Sequence, residues 1–340
     1  MAYERALFDS LRNDKLDLRL LPTEQCNFRC TYCYETFEEK KMRPAVVAGV
    51  KALISRRAAS LNELHIDWFG GEPTLAADIV ADISRHAIAE SRRHGFLLTA
   101  AITTNGYFLD ARGFKECLDN GIGEFQVTFD GGKEIHDASR VLGSGLGTFD
   151  RIWANVVAMK DVPGDFTILL RLHYTDRNYR EVGAFAARIH DTFGDDPRFR
   201  LYFKGIKRLG GPNDKQIGIW SPKDDAHMQR HMWDASGYRA GVLATSESDT
   251  KGVSDYVCYA SMANSLLVRA NGRLGKCTVA LYDDFNTIGE IREDGEIVVD
   301  QEKFQRWITP VVEGDWPNVG CPLQWVANHA PSRKRKTTAA

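Results

Sequence analysis

The chain has 340 residues, 43% hydrophobic, 26% charged and 10% aromatic, which is enough apolar material for a large buried core and too much for a disordered chain. Lys+Arg 44 against Asp+Glu 46 leaves a net charge of -2, without the basic excess needed to bind along a nucleic-acid backbone, so no nucleic-acid partner is expected. No uncharged apolar run approaches the roughly 20 residues that cross a bilayer, and the opening MAYERALFDSLRNDKLD lacks a signal peptide's apolar stretch, so a cytoplasmic protein with no membrane partner is expected.

In chain order, an N-terminal segment (1–15) precedes six β-type runs at 16–23, 63–71, 97–105, 124–131, 166–174 and 199–206. Helix signals stand between them. Pro44 opens PAVVAGVKALISRR, Gly95 closes LAADIVADISRHAIAESRRHG, FDRIWANVVAMK precedes the fifth run, and Gly194 closes NYREVGAFAARIHDTFG. Six β-then-α units over 16–240 predict an α/β fold with a parallel sheet, either doubly wound or a six-unit partial (β/α) barrel. From about 245 the pattern changes: SLLVRANGRLGKC carries an Asn271-Gly272 turn between two β-type runs. A small second domain is predicted over 245–330, ahead of a basic tail (331–340) that reads as disordered.

Three of the seven cysteines crowd into EQCNFRCTYCYE directly after the first run. Thiolates at this spacing suit one metal centre, and three of them leave one iron of a four-iron cube without a protein ligand, open to a substrate or cofactor. A zinc knot needs a fourth Cys or His nearby, whereas the next of each are Cys117 and His65. Cys117, in the helical GFKECLDNG, reads as a packing residue.

CxxxCxxC after the first strand, with Tyr32 before the last cysteine, resembles the radical S-adenosylmethionine (SAM) superfamily. Gly70-Gly71-Glu72-Pro73 after the second strand is similar to that superfamily's GGE(P) motif, and Thr104-Asn105-Gly106, Thr128-Phe129-Asp130-Gly131 and Arg171 fall at the third, fourth and fifth strands. The resemblance implies a partial (β/α)6 barrel. It implies that Cys26, Cys30 and Cys33 carry a [4Fe–4S] cluster whose unique iron binds SAM. It further implies that Gly70, Gly71, Glu72 and Pro73 meet the methionine amine, Thr128 and Asp130 the ribose and Arg171 a carboxylate, with Thr104 and Asn105 near the ligand. The implied chemistry is reductive cleavage of SAM to a 5′-deoxyadenosyl radical that abstracts hydrogen, fed by a donor such as flavodoxin or ferredoxin. As bare residues, Thr104 and Thr128 also read as strand formers, while a buried Arg171 demands a partner. His136, Asp137 and Arg140 resemble a DGxxxxHDxxR segment that lines the active-site mouth of peptide-modifying relatives; a solvated loop is the rival reading. No catalytic acid or base stands out.

Cys258, Cys277 and Cys321 form a second set. Thirteen residues separate Cys258 from Gly272 and four separate Gly272 from Cys277, which resembles the opening of the SPASM/Twitch extension. The resemblance implies one auxiliary [4Fe–4S] cluster whose fourth position is open to a side chain (Ser261, Asp255 and Asn264 lie nearby), to substrate or to nothing; structural thiols or zinc are the rival reading. Sulfatase-maturing relatives carry an Asp where this chain has Thr278. The expected function is maturation of a ribosomally made precursor peptide by crosslinking or altering a side chain. The alternatives are a small-molecule radical SAM dehydrogenase or epimerase, and a formylglycine-forming sulfatase maturase. A plain iron–sulfur electron carrier would not need the GGEP and TNG motifs.

Overall fold

Six parallel strands stand side by side in the order in which the chain makes them: β1 (Lys15–Leu20), β2 (Glu63–Trp68), β3 (Leu97–Thr104), β4 (Glu124–Phe129), β5 (Thr167–Tyr174) and β6 (Phe199–Gly205). These come from a computed structural model that describes residues 2–238 and 256–331. The helices are α1 (Ala2–Leu11), α2 (Pro44–Ala58), α3 (Ala77–His94), α4 (Ala111–Asp119), α5 (Lys133–Ser139), α6 (Phe149–Met159), α7 (Tyr179–Phe193) and α8 (Pro222–Ser236). Right-handed crossovers between strands laid down in sequential order place the connecting helices on one face of the sheet. A doubly wound sheet would reverse its strand order part-way. The fold is therefore the partial-barrel form of the α/β class, and its sheet does not close.

Period-two burial follows from this arrangement. On β2, Leu64, Ile66 and Trp68 are buried, and on β5, Ile168, Leu170, Leu172 and Tyr174 are buried. Burying each such side chain is worth about 2 kcal/mol relative to exposure. Their alternates, among them Arg19, His65, Asp67, Gln126, Arg171, His173 and Lys204, occupy the opposite, helix-free face and are only half-buried. That face is mostly polar, with Ala101, Leu169 and Leu267 among its apolar exceptions.

The remaining strands, β7 (Ser265–Val268), β8 (Arg273–Gly275), β9 (Gly289–Ile291) and β10 (Ile297–Val299), extend the same sheet beyond β1. β7 pairs in parallel with β1 from Asp17↔Ser265 to Leu20↔Val268, and the Asn271-Gly272 turn, with Gly272 at φ 90, returns the chain antiparallel into β8. Helices α9 (Gln301–Glu313), α10 (Trp316–Val319) and α11 (Leu323–His329) follow. The expected boundary near 240–245 and the tail from 332 lie outside the described residues. Among the described residues no helix is long and apolar enough to cross a membrane.

Candidate functional site at the strand ends

The three-cysteine loop leaves β1 and is fastened on both sides. At its base Thr23 bridges Lys41, and the amide of Met42 donates to Pro22 O at 2.8 Å. On the far side Phe28 bridges Leu142, while the amides of Arg29 and Thr31 donate to Val141 O (2.8 Å) and Ser139 O (2.9 Å). Cys26, Cys30 and Cys33 are thus half-buried. Burial first, and then nearby carboxylates of Glu72, Asp130 and Glu35, push their thiols up, Cys33 to about 12.

The glycines of Gly70-Gly71-Glu72-Pro73 answer to the chain itself. A Cβ on Gly70 would lie 2.2 Å from Thr23 O and one on Gly71 2.5 Å from Gln25 O, and Gly70 holds φ at +118. Both glycines let the segment leading to Cys26 approach closely. Glu72 is engaged within the chain. Its carboxylate, read as meeting a ligand's amine, is fully buried and occupied. Oε1 accepts from Thr74 N (3.1 Å), Thr74 Oγ1 (2.6 Å) and Thr104 Oγ1 (2.7 Å), and Oε2 accepts from Asn105 N (2.7 Å). Pro73 opens the short 3-10 turn that supplies Thr74. Asn105 extends the chain of contacts, its Nδ2 donating to Asn27 Oδ1 at 2.8 Å inside the cysteine loop. Glu72, Thr104 and Asn105 are therefore brought together as a clamp between the ends of β2 and β3 and the loop.

A second buried network holds the other side. The Tyr32 hydroxyl donates to Asp130 Oδ1 at 2.8 Å and accepts from Arg140 Nη1 at 2.8 Å, and Ser139 Oγ donates to Asp130 Oδ2. His173 Nδ1 lies 3.0 Å from the Tyr32 hydroxyl and 3.5 Å from Asp130 Oδ1. Burial alone would raise the Asp130 carboxyl. The His173 contact and the Arg140 charge outweigh it and hold it at about 2. Asp130 is thus engaged by the chain's own donors. His136 is fully buried, its Nε2 3.1 Å from Thr148 Oγ1, and Asp137 caps α6 by accepting from Thr148 N (2.7 Å) and Phe149 N (2.9 Å). The HDxxR segment is therefore packed and not a solvated loop, with Arg140 reaching the Tyr32 hydroxyl of the cysteine loop. Thr128 and Arg171 are register partners on β4 and β5, on the helix-free face. Sequence reasoning missed His173, although its position two residues beyond Arg171 on an alternating strand signals the shared face.

The second cysteine set hangs beside β1. Cys258, Cys277 and Cys321 lie near enough that an ionised neighbour adds to what burial already does in raising the Cys258 and Cys277 thiols. Ser261 donates to Val319 O (3.2 Å) and Asn264 Nδ2 to Asp9 O (2.9 Å); Asp255 lies outside the described residues. Residues directly following cysteines of both sets meet at Thr278. Tyr34 donates to Thr278 O (3.1 Å), and Tyr259 contacts Thr278 Oγ1 (2.8 Å) while accepting from Thr278 N (3.1 Å). Arg19 lies over the Tyr259 ring, 3.6 Å from its centroid. A buried fork from Arg269 to Glu24, Nη2 to Oε2 at 2.6 Å and Nε to Oε1 at 3.0 Å, completes the link. Cys117 sits partly buried in α4.

The family model described as the Radical SAM superfamily matches residues 20–186. Over 233 residues the chain is 30% identical to the GTP 3′,8-cyclase of Edwardsiella ictaluri, covering 60% of this chain and 68% of that protein. The chain belongs to the radical SAM superfamily. It spans about half the length of other relatives it matches, such as the GTP 3′,8-cyclase of Pectobacterium atrosepticum, 33% identical over 160 residues that make up 43% of this chain and 47% of that one. Among solved structures, native anSMEcpe with bound AdoMet shares the fold at TM-score 0.63 and 20% identity, over 87% of this chain and 82% of that chain. Streptococcus suis SuiB bound to precursor peptide SuiA does so at TM-score 0.59 and 14% identity, over 92% and 69%. Membership implies SAM and a [4Fe–4S] cluster, and the cysteine loop offers the sulfur chemistry such a cluster needs, although among the described residues no three ligating side chains already stand gathered around one metal position. Three soft sulfur donors stand on one pinned loop, and the buried Nδ2 of Asn27, between Cys26 and Cys30, lacks an acceptor.

Proposed function

We propose that the chain is a radical SAM enzyme that acts on a peptide side chain laid against the helix-free face of the sheet. Cys26, Cys30 and Cys33 would hold the cluster, and Cys258, Cys277 and Cys321 one auxiliary [4Fe–4S] cluster in a region spanning 245–330. When bound, the first cluster and SAM supply the electron and the 5′-deoxyadenosyl group that takes a hydrogen atom, with a flavodoxin or ferredoxin as the outside donor. The chain's own residues position. Glu72 and Asp130 lock the cysteine loop to the strand ends, Tyr32 ties it to β4 and β5, and Arg171 beside Thr128 offers a guanidinium fork suited to a carboxylate.

The observation that carries this reading is the three-cysteine loop pinned at the strand ends beside a mostly polar, helix-free sheet face. A peptide substrate is supported by the fold shared with SuiB, whose solved complex contains a precursor peptide. Charge supports it too. The β1–β4 half of the face carries Asp17, Glu63, Asp67 and Glu124 against Lys15 and Arg19, while Arg171, Arg200 and Lys204 stand on β5 and β6. A face of both signs suits a peptide better than the concentrated negative charge of GTP, the substrate named for the sequence relatives. Offered GTP, SAM and dithionite, the reconstituted chain is expected to leave GTP unconverted. Cyclised GTP product above that of the triple Cys26, Cys30, Cys33→Ala variant would replace the peptide reading with a nucleotide one.

A further inference from the structure

His173 lies on β5 two residues past Arg171, on the helix-free face, and keeps 12% of its side-chain surface exposed. Its ring stands edge-on to Tyr32, with centroids 5.2 Å apart at 78°. Counting hydrogens fixes its tautomer. The Tyr32 hydroxyl owns one hydrogen, which goes to Asp130 Oδ1, and its oxygen accepts from Arg140 Nη1, a group that can only donate. The 3.0 Å contact between that oxygen and His173 Nδ1 therefore needs the hydrogen on Nδ1. Nε2 is left as the lone-pair nitrogen, and among the described residues it has no hydrogen-bond partner, although it is not sealed in the core.

We propose that His173 is a substrate-selecting residue whose unprotonated Nε2 accepts a hydrogen bond from an O–H or N–H of the substrate on the helix-free face. The inference rests on the radical SAM reading for what the face is used for, but the state of the ring stands apart from it. The surroundings keep the ring an acceptor. Burial first, then the charges of Arg171 on its own strand and Arg140 after α5, push the imidazole down to about 4 against the pull of Asp130 at the end of β4. Tyr32 faces it from the cysteine loop, and Lys204 is its register partner on β6. A charged imidazolium would repel the substrate's donor; a neutral ring locked by Tyr32 selects for it.

Diethyl pyrocarbonate attacks only unprotonated, reachable imidazole nitrogens. Reconstituted full-length protein is treated anaerobically at pH 5.5 and 7.5 with N-acetylhistidine as an internal reference, and each histidine is read by peptide mass spectrometry. His173 is expected to react at the same rate at both pH values, while the reference slows about tenfold at the lower pH, as an imidazole of ordinary pKa must. His136, whose two ring nitrogens are both engaged, is expected to stay unmodified. An unreactive His173, or one that slows tenfold with the reference, overturns the proposal. In Tyr32→Phe, where the locking hydroxyl is gone, the rate or its pH dependence is expected to change; an unchanged profile in a folded variant also overturns it. Iron content and SAM binding, measured on the same preparation, report separately on the radical SAM reading.

Discussion

Asp130 is an anion kept in a place that would ordinarily refuse one: 1% exposed, it stays ionised because Tyr32, Ser139, His173 and Arg140 surround it. Its folded value of about 2 lies below the ordinary 3.8, so it contributes stability that is fully present above about pH 4 and is lost as pH falls through 2. The shift corresponds to about 2 kcal/mol. Urea unfolding of the metal-free chain should show Asp130→Asn less stable by about that amount at pH 6, with the gap closing between pH 4 and pH 2. A gap that persists undiminished at pH 2 would show that the loss comes from packing and not from charge. Glu72 teaches a related point. Its motif is readable in the sequence, but its partners Thr74, Thr104 and Asn105 arrive from two separate segments and could not be read from the motif alone.

At the scale of elements, the sequence already displays the six βα units, because apolar alternation on β2 and β5 and the stop signals at Gly95 and Gly194 are local features. Helix α9 is not among the elements predicted from the sequence; in the structure Asp300 accepts from Lys303 N at its start, and Gly314, at φ 71, ends it. Not readable was the pairing of β7 with β1, since nothing local in SLLV names its neighbour across more than two hundred residues. The Glu24–Arg269 fork depends on that pairing. Arg269→Ala would strand a buried carboxylate beside the entry to the cysteine loop, and a loss of about 3–5 kcal/mol in urea unfolding is expected. Arg269→Lys keeps the charge but not the fork, and is expected to recover only part of it. A loss below about 1 kcal/mol for Arg269→Ala would mean that the two segments do not depend on this pair.

Across the whole molecule, both cysteine sets flank one sheet: the first loop springs from the end of β1, and of the second set Cys258 precedes β7, the neighbour of β1, Cys277 follows β8, and Cys321 lies between α10 and α11. Helices cover one face and leave the other mostly polar, so the same strands that bury the core present Arg171, His173 and Lys204 to whatever lies opposite. A radical reaction needs its initiating group held at the edge of such a face and shielded from water. The central claim is that the loop bearing Cys26, Cys30 and Cys33 supports reductive cleavage of SAM. It is tested most directly by reconstituting the full chain with iron and sulfide, reducing it anaerobically with dithionite in the presence of SAM, and quantifying 5′-deoxyadenosine. The chain should form 5′-deoxyadenosine and the triple Cys26, Cys30, Cys33→Ala variant none; equal amounts from both, or none from an iron-loaded chain, would contradict it.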